Sequence, residues 1–266
     1  MIANYHTHTY RCGHAAKCDE RPYIERAISQ GLKTLGFAEH APMPFPDGIP
    51  QSNLDRLLAM RMKLHETEDY INTLSALREE YKNDIDIHIG FEVEYFPSCF
   101  DAFLEYISPY PVEYLILGQH FSAIEKDPMA HFGSPIRSDE LLKEYVDLAI
   151  CGMETGKISY IAHPDMVFYT GNIEAYEREM TRLINCANEH KMPLEINLYG
   201  LQQIRNYPNF TFWQIAAEIG CDVILGVDAH KPENIVNPLA EKYAKRMIAA
   251  NPKLNLLDTV TFKSVK

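Results

Sequence analysis

The sequence predicts an α/β fold in which a parallel sheet closes into a barrel, as a single domain of residues 1–266. Short apolar runs alternate with longer amphipathic stretches, the pattern of strand–helix units around a parallel sheet. A chain of 266 residues, 46% of them hydrophobic, is long enough for one such barrel, and no repeat or Ser/Gly-rich linker divides it. An open, doubly wound sheet is the structural alternative. In both folds, ligands bind beyond the carboxyl ends of the strands.

Seven apolar segments are predicted as strands: Ile2–His6, Thr34–Glu39, Asp86–Val93, Tyr114–His120, Ile158–His163, Pro193–Asn197 and Asp222–Asp228. The predicted helices between them are Pro22–Gln30, Asn53–Tyr81, Asp139–Glu154, Ala175–His190 and Phe212–Ile219. Pro22 suits a first helical turn, and Gly220 follows the last of these helices as a C-terminal cap. The sequence leaves open whether Asn53–Tyr81 is one helix or two, and whether Asn255–Phe262 is a short extra strand or a tail.

The formal net charge of −12 disfavours a nucleic-acid-binding protein, because such binding depends on Lys and Arg side chains that neutralise phosphates. Residues Met1–His6 lack the basic patch and apolar run of a signal peptide, and no apolar run of about 18 residues occurs. We therefore predict a cytoplasmic protein without a membrane partner, and reduced thiols at its six cysteines. Cys12 and Cys18 flank His14, but no Cys-x-x-Cys pair accompanies them, so neither is a predicted metal ligand.

Histidines and carboxylates follow the predicted strands, all at one end of the barrel. Side chains at positions i and i+2 of an extended segment project from the same side. Four such pairs occur: His6/His8, Glu92/Glu94, His163/Asp165 and Asp228/His230. Imidazole nitrogens and carboxylate oxygens suit Zn, Mn or Fe, so the pattern predicts a metal site. The remaining histidines are expected to be structural or exposed: His65, His88, His131 and His190.

The same residues resemble the metal signature of the polymerase and histidinol phosphatase (PHP) family, in the family's order along the whole chain. The matching motifs are His6-Thr7-His8-Thr9 with His14, Glu39-His40, Glu92, His120, His163-Pro164-Asp165 and Asp228-Ala229-His230. The resemblance implies a distorted seven-stranded, TIM-like (β/α) barrel with three divalent metal ions. It implies a first metal held by His6, His8, Glu92 and Asp228, a second held by Glu92, His120 and His163, and a third held by His14, His40 and His230. Spacing alone does not choose Glu92 over Glu94.

Within that family, the flanking motifs resemble the histidinol-phosphate phosphatases. The similar segments are Glu39-His40-Ala41-Pro42-Met43-Pro44, Gly90–Pro97, and Glu195-Ile196-Asn197 followed by Gly200-Leu201. Two positions depart from the pattern: Gln202 stands where a basic residue is common, and Phe168-Tyr169 where basic residues often follow the His-Pro-Asp motif. Both departures concern the binding of phosphate, so they put the exact substrate in doubt.

The resemblance implies hydrolysis of a small-molecule phosphate monoester, with L-histidinol phosphate, an intermediate of histidine biosynthesis, as the expected substrate. We predict attack on phosphorus by a hydroxide that bridges two metal ions, because bound ions lower the pKa of water. Glu92, Asp228 and His230 are the predicted catalytic residues. The proton for the leaving alcohol comes from Asp228 or from metal-bound water, a choice that the sequence leaves open.

Side chains in the loops after the strands are the candidates for binding the substrate. Arg11 is the most attractive cation, because it lies between His8 and His14. The full set of predicted contacts is Arg11, Lys17, Arg137 and Arg205 for the phosphate, and Glu94, Tyr95, Asp165 and Tyr199 for the ammonium and imidazole groups.

Two other functions fit the same motifs. A nuclease or cyclic-nucleotide phosphodiesterase would use the same metals on a phosphodiester, although the net charge of −12 and the absence of a nucleic-acid-binding appendage disfavour it. A protein that binds metal without catalysis is the alternative from a different class. The sequence gives no indication of the oligomeric state or of which metal is native.

Overall fold

The computed structural model describes residues 1–266. Eight parallel strands lie side by side in chain order. They are β1 (Ala3–Asn4), β2 (Thr34–His40), β3 (Asp86–Val93), β4 (Tyr114–Leu117), β5 (Ile158–Ile161), β6 (Leu194–Asn197), β7 (Cys221–Gly226) and β8 (Leu254–Leu256). The predicted number of seven is wrong, because β8 forms in the C-terminal segment and pairs with the first half of β7.

Helices connect the strands and cover the outer face of the sheet. They are α1 (Arg21–Ser29), α2 (Gln51–Ala59), α3 (Thr67–Tyr81), α4 (Phe100–Ile107), α5 (Asp139–Glu154), α6 (Ile173–Glu189), α7 (Leu198–Gln203), α8 (Phe210–Ile219) and α9 (Pro238–Ala249). The predicted stretch Asn53–Tyr81 is divided into α2 and α3. The helices α4, α7 and α9 were not predicted, although Asn237 and Pro238 form a recognisable helix start at α9. No helix of the structure is both long enough and apolar enough to cross a membrane.

The sheet curls until the chain beyond β1 meets the chain beyond β7. Thr7 forms an isolated parallel bridge with Ala229. The backbone amide of His8 donates to the carbonyl of Ala229 (2.9 Å), and the amide of Ala229 donates to the carbonyl of His6 (3.2 Å). This junction brings the first and last histidine motifs of the sequence together at the carboxyl end of the sheet.

The inner face of the sheet changes from aromatic to polar along its axis. Along β3, the side chains of His88 and Glu92 share one face, since they are four positions apart in an extended strand. At the amino end, Phe262 stacks on Tyr114, with ring centroids 4.6 Å apart and planes 14° from parallel. At the carboxyl end, Glu92 is buried among histidines. The aromatic layer thus closes the sheet below, and the polar layer forms the floor of a site above.

Candidate metal centre

Four side chains from three strand ends converge at the carboxyl end of the sheet. The Nε2 atoms of His6 and His8 lie 3.6 and 3.2 Å from Oδ1 of Asp228. The same two nitrogens lie 3.5 and 3.4 Å from Oε2 of Glu92. All four side chains are buried. These are the residues that the family resemblance implies for the first metal.

Three of the converging atoms have no hydrogen-bond partner although they are buried: Nε2 of His6, Nε2 of His8 and Oε2 of Glu92. A buried polar atom without a partner costs about 1–3 kcal/mol, so proteins rarely leave several together. A divalent cation would satisfy all three at once. Two imidazole nitrogens with two carboxylate oxygens are a donor set that Zn, Mn and Fe accept. The residues therefore fit a metal ion at this position.

The second oxygen of Glu92 faces a second group of donors. Its Oε1 lies 2.9 Å from Nε2 of His163 and 3.7 Å from Nε2 of His120. Glu92 thus stands between two sets of nitrogens and presents one oxygen to each. Gly118 leaves the room for this, because a Cβ at that position would fall 1.9 Å from Oε1 of Glu92.

The three histidines implied for a third metal lie close together, but they are not isolated from the first group. Nε2 of His14 is 2.9 Å from Nε2 of His230. His40 instead directs Nδ1 to Oε2 of Glu92 (3.0 Å) and stacks on His8. The ligand atoms of His8, His40 and His230 lie within 4.8 Å of one another.

Cys12 is a further candidate ligand, although the sequence did not predict it to bind metal. Its Sγ lies within 4.8 Å of ligand atoms of both His14 and His230. The thiol is buried and donates to the carbonyl of Thr9 (3.3 Å). Proximity to the two histidines, rather than a Cys-x-x-Cys spacing, makes Cys12 a candidate.

Buried carboxylates orient the histidine rings. Nδ1 of His6 bonds to Oε1 of Glu195 (2.9 Å), and Nδ1 of His8 lies 3.3 Å from Oε1 of Glu39. Backbone carbonyl oxygens take this role for two more rings, those of His14 and His230. With Nδ1 occupied, each ring directs Nε2 at the centre, and such outer partners raise the basicity of a metal-binding imidazole. Glu39 and Glu195 belong to the family-like motifs but were not predicted as site residues, although a charged residue inside an apolar strand is a signal of such a role.

The carboxylates give the first group a strongly negative field. Burial by itself lowers the pKa of His8, but Asp228, Glu39 and Glu92 outweigh it and raise that pKa to about 9. At His40, burial outweighs the nearby Glu92 carboxylate, and the imidazoles of His8 and His14 add to the effect, so the pKa is lowered to about 4. A field that draws a proton onto His8 also draws a divalent cation, since both neutralise the same carboxylates.

Two of the converging residues have left-handed backbone conformations. The φ angle is 30° at His163 and 52° at Asp228. This region is unfavourable for residues other than Gly, Asn and Asp, so His163 in particular carries backbone strain. Both residues stand where a strand has just ended, and the turn aims their side chains inward.

A cavity lies directly above these donors. Its lining consists of His14, His40, Met60, His120, His131, Gly133, His163, Met166, Tyr199, Arg205, Asn206, Tyr207, Asp228 and His230. Of the predicted substrate-binding residues, the structure places Arg205 and Tyr199 in this lining. The Arg205 guanidinium lies over the Tyr199 ring, 5.5 Å from its centroid. Arg205 is the permanently charged cation of the lining and Asp228 is its single carboxylate, so Arg205 is the lining side chain that can pair with an anion.

The other predicted phosphate-binding cations lie outside the cavity lining. Arg11 is buried, where Glu20 and Asp69 (2.6 Å) bind its guanidinium. Lys17 and Arg137 are exposed. Arg11 follows the first histidine pair in sequence, but its charge is neutralised by residues of a neighbouring helix and loop.

Glu94 and Asp165 also lie outside the cavity lining, and both are bound by the protein. Glu94 accepts a hydrogen bond from Arg61, and Asp165 accepts one from Nε1 of Trp213 (2.8 Å). Burial raises the pKa of Asp165 to about 6, and the Asn209 amide and the Trp213 indole only partly oppose this. The structure therefore gives both carboxylates partners in the fold.

His131, which was expected to be structural or exposed, is partly buried and lines the cavity. Residues 120–132 fold into a hairpin in which Phe121 and His131 form an antiparallel bridge. Burial lowers the pKa of His131 to about 4, with Arg56 and Arg205 adding to the effect, so the ring is neutral. Tyr207 was not predicted as a site residue either, because its place in the lining depends on long-range contacts of its loop.

Comparison with known proteins agrees with the geometry. The family model described as PHP domain matches residues 4–198. The chain belongs to the PHP family. Among PHP relatives, the probable histidinol-phosphatase of Deinococcus radiodurans is 24% identical over 239 residues, which cover 88% of each chain. The histidinol-phosphatase of Bacillus subtilis is 35% identical over 121 residues, 44% of this chain and 42% of the relative.

A solved structure supports the PHP fold over the whole chain. The crystal structure of histidinol phosphate phosphatase from Lactococcus lactis, complexed with Zn, L-histidinol and phosphate, matches with a TM-score of 0.72. The match covers 100% of this chain and 98% of the other, at 18% sequence identity. At that identity the likeness establishes the fold.

Proposed function

We propose that this PHP protein is a metal-dependent phosphomonoesterase that hydrolyses L-histidinol phosphate to L-histidinol and phosphate. The observation that carries the proposal is the set of unpartnered, buried donor atoms of His6, His8 and Glu92 beneath a cavity that also presents Arg205. The substrate is proposed from the relatives, two of which are named as histidinol-phosphatases.

Three divalent ions, drawn from Zn, Mn and Fe, are the proposed cofactors. The first would be held by His6, His8, Glu92 and Asp228, the second by Glu92, His120 and His163, and the third by His14, His40 and His230. Such ions supply charge to the phosphoryl group and a hydroxide at neutral pH. The three donor sets are supported by short distances between their ligand atoms and by the position of Glu92 between them.

The protein side chains hold the ester and keep its phosphate in place. Arg205 is the cavity cation that reaches a dianionic phosphate, and it replaces the basic residue expected at position 202. Gln202 itself is engaged with Asn234, whose side-chain amide donates to it (3.0 Å). Arg205, which follows the end of α7, thus compensates for the departure at Gln202 inside that helix.

The rest of the cavity fits an uncharged heterocycle. Met60, Met166 and Tyr199 provide thioether and aromatic surfaces, and the neutral ring of His131 offers one acceptor and one donor nitrogen. We propose that the imidazole of the substrate packs against these side chains. Thioether–aromatic contacts contribute about 0.3–1.5 kcal/mol each, so the leaving group would add to binding.

The test is phosphate release from L-histidinol phosphate by metal-loaded enzyme, against generic phosphomonoesters and one phosphodiester. We expect kcat/KM for histidinol phosphate to exceed the others by about 100-fold, because a site that hydrogen-bonds its substrate rejects analogues strongly. Preference for the phosphodiester would instead support the nuclease-like alternative, and bound metal without any turnover would support a non-catalytic protein.

A pair of arginine variants tests the phosphate contact. Arg205→Gln should raise KM at least about tenfold, since a charge-assisted hydrogen bond contributes about 1.5–3 kcal/mol. Arg137→Gln, an exposed arginine outside the cavity, is the matched control and should leave KM unchanged. Equal KM values for both variants and the wild type would remove Arg205 from the proposal.

A further inference from the structure

The ring of Tyr207 is buried, and its hydroxyl opens into the cavity. The residue is 7% exposed and lines the cavity, with its ring centroid 5.9 Å from that of His163. The charges of Asp228 and Arg205 lie near it. No protein group hydrogen-bonds the hydroxyl, so this proton donor is free to meet a substrate that occupies the cavity.

The fold holds this ring in one place. Gly200 lies against it, and a Cβ at position 200 would fall 2.4 Å from Cδ2 of Tyr207. On one side of Tyr207, the Asn206 side chain donates to the carbonyl of Met166 (2.9 Å). On the other side, the amide of Asn209 donates to Asp165 (2.5 Å). Both bonds tie the Tyr207 loop to the loop that begins at His163, so phenol and histidine move together.

The other side chains of the cavity are poorly suited to give up a proton. Oδ1 of Asp228 faces the nitrogens of His6 and His8, and its Oδ2 lies 3.5 Å from Nδ2 of Asn197. Arg205 stays charged at any working pH. Tyr199 is the other phenol, but it lies farther out, half-buried beside His230 and under Arg205.

We propose that Tyr207 is the catalytic acid, which protonates the ester oxygen of the leaving alcohol. As the bond between phosphorus and that oxygen breaks, the oxygen keeps the electron pair and takes the phenolic proton. The new bond to phosphorus comes from the oxygen of water, and the proton released by that water restores the phenol. The balance is ester plus water to alcohol plus phosphate, with Tyr207 unchanged. The inference rests on the proposed phosphomonoesterase function and names the proton donor that the sequence left open.

The phenol carries its proton at neutral pH, because tyrosine side chains ordinarily have a pKa of about 10. An alkoxide is more basic still than a phenolate, so transfer to it is favourable as the bond breaks.

The decisive experiment compares Tyr207→Phe with wild type on two esters whose leaving groups differ. L-Histidinol phosphate releases a basic alkoxide that needs a proton, whereas p-nitrophenyl phosphate releases a stabilised phenolate that does not. We expect Tyr207→Phe to lower kcat for histidinol phosphate by about 100-fold and to leave kcat for the nitrophenyl ester close to wild type. KM, bound metal and Tm should not change, because the variant removes an oxygen without a protein partner.

Two further variants make the result specific. Tyr199→Phe removes the other cavity phenol, and a leaving-group-dependent loss there instead would overturn the assignment. Tyr176→Phe is the control, since its hydroxyl has no hydrogen-bond partner but is buried outside the cavity lining. All kinetic constants of this variant should match wild type. An equal loss on both esters, or none, in Tyr207→Phe would also overturn the proposal.

The test separates this inference from the proposed function. If the wild-type enzyme prefers another alkyl phosphate, the proposed substrate is wrong. The ratio of kcat in Tyr207→Phe to kcat in the wild type is then measured on that ester. If Tyr207→Phe loses metal or stability, 3-fluorotyrosine at position 207 decides the matter. This phenol of similar shape and lower pKa should alter kcat for the alkyl ester only, and an unchanged kcat would refute the role.

Discussion

The buried ion pair between Arg61 and Glu94 supports the backbone beside the metal donors. Nη2 of Arg61 lies 2.5 Å from Oε2 of Glu94, and Nε of Arg61 donates to the carbonyl of Leu57. The other Glu94 oxygen accepts the backbone amides of His120 and Phe121, both at 2.9 Å. We predict that Arg61→Met destabilises the protein, because it leaves the Glu94 carboxylate buried without its cation.

The magnitude follows from what the variant keeps and loses. Removing one partner of a buried pair costs about 3–5 kcal/mol. Glu94 retains its two amide donors, so we expect the lower end, about 3 kcal/mol. For a chain of this size, 1 kcal/mol corresponds to about 2–4 °C in Tm, so Tm should fall by about 6–12 °C.

The loss should depend on pH in a defined direction. Burial raises the pKa of Glu94, and Arg61 is the chief opposing group, so Arg61→Met raises that pKa further. A carboxyl group whose folded pKa lies above its unfolded value favours the folded state at low pH, and this contribution is lost as pH rises through the folded pKa. The destabilisation should therefore be largest at neutral and alkaline pH and shrink as Glu94 becomes protonated.

Urea unfolding of the metal-free proteins at about pH 5 and about pH 8 measures both effects. The double variant Arg61→Met/Glu94→Gln is the control, because a glutamine oxygen still accepts the two amides and no buried charge remains. It should recover most of the lost free energy of unfolding, which gives a large coupling in the double-mutant cycle. A deficit for Arg61→Met below about 1 kcal/mol, or one that does not vary with pH, would refute the reasoning.

Three other predictions concern the two ends of the sheet. Phe262→Ala should lower the free energy of unfolding by about 2–3 kcal/mol, which is less than the loss for a fully buried ring, and should leave kcat unchanged. Urea unfolding and turnover check this, and a loss of kcat without destabilisation would contradict it. Glu195→Gln should weaken metal binding about 10–100-fold, because His6 loses the carboxylate that orients its ring. Competition with a chelator measures the affinity, and an unaltered value would contradict this role. Gly200→Ala should lower kcat for histidinol phosphate while metal content stays the same, because the added Cβ displaces the Tyr207 ring, and full activity would show that the ring tolerates movement.

Much of the fold could be predicted because hydrophobic periodicity marks its longest elements. The predicted bounds Asp86–Val93 and Asp139–Glu154 coincide with β3 and α5. The short elements were harder: α7 has six residues and starts directly after β6, with Asn197 both ending the strand and capping the helix. The three residues of β8 carry too little pattern to separate a strand from a tail.

The site was predictable where it follows from topology. Parallel strands present their carboxyl ends at one edge, so histidines that follow different strands must meet there. The roles of cations and carboxylates depend on long-range partners that spacing does not reveal. Arg11 pairs with Asp69, which is 58 positions away, and His131 reaches the cavity only because its hairpin pairs with Phe121.

Side chains at positions i and i+2 share a face only where the backbone stays extended and paired with a neighbouring segment. His6 and His8 lie beyond the end of β1, but Thr7 between them is paired with Ala229, so both rings point to the centre. Glu92 is the next-to-last residue of β3, whereas Glu94 lies past its end, so the chain turns and Glu94 meets Arg61 instead.

The third pair, His163/Asp165, also lies beyond the end of its strand. β5 ends at Ile161, and His163 has a φ of 30°, so the alternation is broken before Asp165, which bonds to Trp213. A two-residue spacing in sequence therefore predicts two converging ligands when a neighbouring strand pairs with the residue between them. Where the strand has ended, the same spacing predicts only one converging side chain. The second carboxylate instead bonds to another part of the protein, as Glu94 does to Arg61 and Asp165 does to Trp213.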